Sequence, residues 1–167
     1  MEIKRAELKE NQTYTFTEDV DLSMYHPNEY FIREIKDCHV AIKATQYETS
    51  LDISINIKAH LILPCAYTLE DVPYVVKGQE TFLFVDDEEE ADNENSFYDD
   101  KPVLDLTPFI YSVLIALTPT KVIKPGAKLP SSTSDYDVIS EEEYLARKEN
   151  QTDPRWDVLD NIEFDED

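Results

Sequence analysis

The most regular stretch of the chain is "LDISINIKAHLIL", residues 51–63. Leu51, Ile53, Ile55, Ile57, Ala59, Leu61 and Leu63 recur at every second position, and Asp52, Ser54, Asn56, Lys58 and His60 fill most of the places between. Side chains of an extended chain alternate between two faces, so this spacing makes a long strand with one face buried and the other wet. Just upstream, Cys38, Val40, Ile42 and Ala44 alternate with His39, Lys43 and Thr45. The link "QYETS", 46–50, is short and polar, which predicts a hairpin between the two strands. "TYTFT" (13–17) and "TFLFV" (81–85) are shorter strand candidates. A one-sided apolar pattern suits antiparallel pairing.

The period changes further on. Ile110, Val113, Leu114 and Leu117 share a face at helical spacing, with Thr107 as a cap and Pro108 in the first turn. Pro119, Pro125, Gly126 and Pro130 stop that helix, predicted over 108–117. Ser140 and Glu143 have the capping-box spacing and open a short helix over 141–149. Asp153 and Pro154 read as cap and first turn of a terminal helix carrying Trp156, Leu159 and Ile162. The expected fold class is therefore α+β: an antiparallel β-sheet able to curl toward a barrel, with one packed helix and short C-terminal helices. One domain spanning 1–167 is expected, with a helical tail at 135–167. The run "DDEEEADNENSFYDDKP", 86–102, reads as a solvated, mobile loop, because like charges repel and few apolar groups offset the entropy of ordering it.

Charge is the strongest compositional feature. The net charge is −22, which opposes contact with nucleic-acid phosphates unless it is unevenly placed. By segment it is −4 over 1–65, −11 over 66–105, +3 over 106–134 and −10 over 135–167. The only positive stretch carries Lys121, Lys124 and Lys128 among prolines and no acids. Those lysines either touch phosphate or offset nearby acids, and the sequence leaves both readings open. The start "MEIKRAELKE" is charged, and no apolar run approaches the roughly 20 residues that span a bilayer. With two cysteines and no secretory signal, a cytoplasmic protein with reduced thiols and no membrane partner is expected.

Little here points to a reaction. With only two glycines, the chain has no G-x-G-x-x-G or P-loop motif to cradle phosphates, and no G-x-S-x-G or H-E-x-x-H motif occurs. The residues available for a metal are His26, Cys38, His39, His60 and Cys65. Cys38 and His39 are neighbours on a strand and point to opposite faces, so two buried thiols packed as small hydrophobes are the better reading. No enzyme, no cofactor and no small-molecule substrate are expected. A cryptic Cys- or metal-dependent enzyme is the contrasting hypothesis.

The order of these features has a likeness. The alternating strand ends in "CAYTLE", 65–70; then come a Phe-rich strand, an acidic loop, "VLDLTPFIYSVLIALTPTK" and, near the end, "DPRWDVLDNI". This order resembles the bacterial YceD family, the large ribosomal RNA subunit accumulation proteins, over roughly residues 35–162. Cys65, Leu69 and Glu70 match the family's C-S-R-C-L-E knuckle. Asp105, Leu106, Pro108, Leu114, Ala116, Leu117, Pro119 and Lys121 match its helix and exit, and Asp153, Pro154, Arg155 and Leu159 its tail. The family's Ser-Arg-Cys is Ala66, Tyr67 and Thr68 here, and its further cysteines are replaced across 122–126. In this chain the knuckle would close the strand, with Cys65 and Leu69 packed inward.

The resemblance implies a non-enzymatic accessory factor in large ribosomal subunit biogenesis, supporting accumulation or processing of large-subunit rRNA. Its partner would be a ribosomal protein, an assembly factor or the rRNA itself, met indirectly or through the lysine loop. The alternative from the charge is an acidic module that masks the nucleic-acid site of a basic protein.

Overall fold

The computed structural model describes residues 1–25, 31–92, 94 and 96–149. The chain divides into two units, Met1–Pro125 and Gly126–Asp167. In the first unit, short strands β1 (Glu2–Lys4) and β7 (Val103–Asp105) pair with each other. The remaining strands, β2 (Thr13–Asp19), β3 (Glu34–Gln46), β4 (Ser50–Pro64), β5 (Asp71–Val85) and β6 (Ser96–Tyr98), lie side by side in chain order. β2 to β5 are antiparallel neighbours, and β6 joins β5 in parallel. The sheet stays open, with β2 and β6 as its edges, so it does not close into a barrel.

The alternation in β4 has the expected effect. Leu51, Ile53, Ile55, Ile57, Ala59, Leu61 and Leu63 are all buried on one face. Opposite them on β3 stand Val40, Ile42 and Ala44, paired with Ile57, Ile55 and Ile53. Burial of such a side chain contributes roughly 1.5–3 kcal/mol, so this double row anchors the core. The hairpin forms where "QYETS" predicts it, closed by the Tyr47 N–H donating to the Ser50 carbonyl at 2.7 Å.

Strand β5 begins ten residues before the expected "TFLFV" segment. Pro73 and Gly78 mask it in the sequence. The Ile62 carbonyl, opposite Pro73, accepts from the Arg33 N–H on the β3 side of β4. Backbone groups of one strand residue point the same way, so the ladder asks no N–H of Pro73, which turns its nitrogen to the outer edge. Gly78 has a packing reason: a Cβ there would lie 2.5 Å from Leu117 Cδ1.

The acidic stretch 86–102, expected as a loop throughout, contains β6. Phe97 anchors it, in contact with Phe82, Phe84 and Phe109 at ring-centroid distances of 5.9, 6.1 and 5.3 Å. One aromatic side chain in a core cluster, together with the ladder to β5, orders a short segment that its charge alone would leave solvated.

Helix α1 (Thr107–Leu117) packs on the buried face through Ile110, Val113 and Leu114. Its start differs from expectation. Thr107 lies inside the helix, and the Asp105 Oδ1 accepts from the Thr107 N–H at 2.9 Å and its hydroxyl at 2.6 Å. At the other end the Thr118 hydroxyl donates to the Leu114 carbonyl at 2.7 Å, and Pro119 prevents continuation. With α1 packed on mainly antiparallel strands and a second helix in the other unit, the chain is α+β.

The other face of β2–β5 carries cross-strand rows. Two of them read Thr15–Lys43–Ser54–Thr81 and Asp19–His39–Lys58–Lys77, with Thr17–Ala41–Asn56–Gln79 between.

In the second unit, α2 (Glu141–Glu149) forms as the capping box predicts: Ser140 Oγ accepts from the Glu143 N–H at 3.1 Å. Arg147 reaches Glu143 at 2.8 Å, one turn back. Acids in the first turn and bases in the last suit the helix dipole. The terminal helix expected from Asp153 onward lies outside the described residues.

Candidate functional site

The site is built where β4 turns into β5. The Cys65 N–H donates to the Glu70 carbonyl at 2.8 Å, and the Leu69 N–H donates to the Cys65 carbonyl at 2.9 Å. This tight closure sets Leu69 at φ 58, the left-handed region, which costs a residue with a Cβ about 1–2 kcal/mol. The Leu69 side chain is 62% exposed, which corrects the expectation that it packs inward with Cys65. With its backbone reversed, the side chain swings out while Cys65, at 0% exposure, stays in. Arg33 clamps the turn from outside: one guanidinium nitrogen donates to the Leu69 carbonyl and the other to Asp71, both at 2.5 Å.

The segment leaving α1 folds back onto this turn. The Ala66 N–H donates to the Val122 carbonyl at 2.8 Å, and the Lys124 N–H points at Cys65 Sγ, 3.4 Å away. The Lys124 ammonium lies 3.3 Å from Glu70 Oε2, and Lys121 stands over the Tyr67 ring at 5.9 Å. Lys124 therefore pairs with an acid of the turn, while Lys121 lies over a neutral ring. Lys128 is exposed in the second unit.

The thiol chemistry follows from these contacts. Donation from the Lys124 backbone N–H, then from the Thr68 hydroxyl, outweighs the effect of burial and lowers the Cys65 thiol to about 7. Thr68 stands where the resemblance places a second cysteine, and it turns a hydrogen-bond donor to Cys65. Its single proton is contested, because Glu70 Oε2 also lies 3.1 Å from the Thr68 hydroxyl. Lys124 and Thr68 together hold the Glu70 carboxyl below its ordinary range. Cys38 is the opposite case: burial, then the charges of Asp37 and Asp19, push its thiol up to about 11. Beside the turn is a small cleft of about 90 Å³, lined by Phe31, Leu63, Cys65, Leu69, Pro119 and Val122.

Of the other residues singled out in the sequence, Asp105 ends β7 and accepts from Thr107 at the start of α1, Pro108 is exposed in its first turn, and Pro119 reaches the cleft. Burial pushes the Asp105 carboxyl up, but the Thr107 hydroxyl and N–H and the terminal ammonium hold it below its usual value. His39 and His60 each bond an aspartate, Asp19 at 2.8 Å and Asp37 at 2.7 Å, on the face away from Cys38. Among the described residues no three His, Cys, Asp or Glu side chains are placed to hold a metal ion. His26, Asp153, Pro154 and Arg155 lie outside the described residues. Arg33 escaped sequence reading, since nothing local marks a partner 36 residues away.

Residues 53–163 match the family model described as Large ribosomal RNA subunit accumulation protein YceD. That match covers most of β4, the whole turn, α1 and the loop that folds back. The chain is also similar to the uncharacterized protein YlbN of Bacillus subtilis (strain 168), 28% identical over 158 residues, which are 90% of this chain and 88% of that one. No solved structure matches it. No helix among the described residues is long and apolar enough to cross a membrane.

Proposed function

The chain belongs to the YceD family, and from that membership we propose that it is a non-enzymatic accessory factor in large ribosomal subunit biogenesis, acting in the cytoplasm. The observation that carries this reading is the family match across residues 53–163, whose description names a role in large-subunit rRNA accumulation. The form of the turn supports a binding role over catalysis. Cys65 is enclosed and held by donors of its own loops, whereas a nucleophile needs access to its substrate. Leu69, by contrast, is held outward at a strained φ beside the cleft, as a contact residue would be. The acidic rim after β5, including Asp87, Glu88, Glu89 and Glu90, suits a basic ribosomal protein or assembly factor as partner. Depleting the protein should lower large-subunit rRNA relative to small-subunit rRNA. An unchanged ratio would remove the proposal.

A further inference from the structure

We propose that the open face of β2–β5 docks the sugar–phosphate backbone of double-stranded RNA, a surface separate from the Cys65 turn; naming RNA as occupant rests on the biogenesis reading above. Lys43, Lys58 and Lys77 project from this face on three adjacent strands, and all are exposed. Lys58 and Lys77 stand directly opposite one another, with His39 beyond Lys58 in the same row. Like charges directly opposite in an antiparallel ladder repel, and neighbouring strands are only about 4.8 Å apart. The chain has 37 acids to choose from, yet none of these three lysines has a hydrogen-bond or ion-pair partner among the described residues. Arg5, Arg33, Arg147 and Lys124 are all paired with carboxylates. The repulsion between Lys58 and Lys77 is thus left for an external anion to relieve.

The rest of the face says which anion carrier fits. Between the lysine rows it is hydroxyl- and amide-bearing; it also carries Asp19 and Asp37, hydrogen-bonded to His39 and His60, and Asp52, opposite Thr45. No Phe, Tyr or Trp of β2–β5 faces this way, since Tyr14, Phe16, Tyr74, Phe82 and Phe84 all occupy the alternate positions of the buried side, and the imidazoles of His39 and His60, which do face this way, are each tied to an aspartate. Unstacked bases need such rings, so a single strand finds no platform here. An A-form duplex offers phosphates and 2′-hydroxyls across a wide, shallow groove, which suits a flat array of lysines, hydroxyls and amides. Such binding reads no sequence and weakens with salt.

The test uses the full chain and a labelled RNA duplex of mixed sequence, titrated at several salt concentrations. Native protein should bind it, and Lys58→Gln with Lys77→Gln should weaken binding at least about tenfold and reduce the salt slope by about 2. Lys121→Gln with Lys124→Gln should leave both unchanged, and thermal melting should show all variants folded. No duplex binding by native protein, or loss confined to the Lys121/Lys124 variant, would overturn the proposal. So would a preference for single-stranded RNA, or binding of polyglutamate in place of the duplex, which would assign the face to an acidic peptide. A duplex-binding face found alongside an unchanged cellular rRNA ratio would sustain this proposal while removing the biogenesis reading.

Discussion

Cys65 and Cys38 are both buried thiols, yet their surroundings set them about four units apart in acidity, near 7 and near 11. Burial alone raises a thiol; only hydrogen bonds to sulfur reverse the sign at Cys65. Its folded value lies below the ordinary 8.5 or so of an unfolded thiol. The stability it contributes is therefore fully present above about pH 8.5 and is lost as pH falls through about 7. Thiolate ultraviolet absorbance of the folded protein should rise in a first step near pH 7. Cys65→Ala should remove that step, Cys38→Ala should not, and Thr68→Val should move it upward. A single step above pH 8.5 would refute the assignment. Residue by residue, the sequence identified the turn but not its chemistry, because Lys124 reaches Cys65 across 59 residues. Leu69 shows a different limit: apolar residues are expected inside, and only backbone φ tells that this one is not.

Among the elements, legibility followed regularity. β4 and the hairpin with β3 were visible because burial on one face imposes a period of two. Most of β5 was hidden, although it pairs with β4 along its whole length. Two residues that normally break strands sit in it for local reasons: Pro73 faces an edge that needs no donor, and Gly78 gives way to Leu117. β1, β6 and β7 are three residues each, too short to show any period. The Gly78–Leu117 contact also makes a prediction about how α1 seats on the sheet. Gly78→Ala should destabilise by about 1–3 kcal/mol through overpacking. Leu117→Ala should destabilise on its own account. The double variant should be less destabilised than the two losses added, as a denaturant double-mutant cycle would show. Strict additivity would mean that the close approach does not position the helix.

Across the whole molecule, the balance of charge divides surface from surface. The bare total of −22 argues against RNA contact, and the segment count moved that possibility to the 106–134 lysines. The fold redistributes it differently. Lys121 and Lys124 turn to Tyr67 and Glu70, while lysines scattered over three strands are gathered on one side of the sheet. No linear window could show this gathering, since Lys43, Lys58 and Lys77 are separated by a hairpin and a turn. The family likeness, by contrast, was fully legible, because order and spacing of motifs are properties of the sequence itself.

The pairing of β1 with β7 has a consequence for how the chain reaches this structure. β2 through β5 meet their neighbours through short reversals or modest loops, so each pairing closes a loop at low entropic cost. β1 must find a strand about one hundred residues away and gains only three ladder positions when it does. The consecutive strands should therefore assemble early and the β1–β7 clasp late, with little influence on the transition state. The same asymmetry should persist in the native protein as unequal local opening. Amide hydrogens of Ile3 and Leu104 should exchange faster than those of Ile42 and Ile55, although all four side chains are buried to a similar degree. Equal protection would mean that the clasp opens only when the whole sheet does.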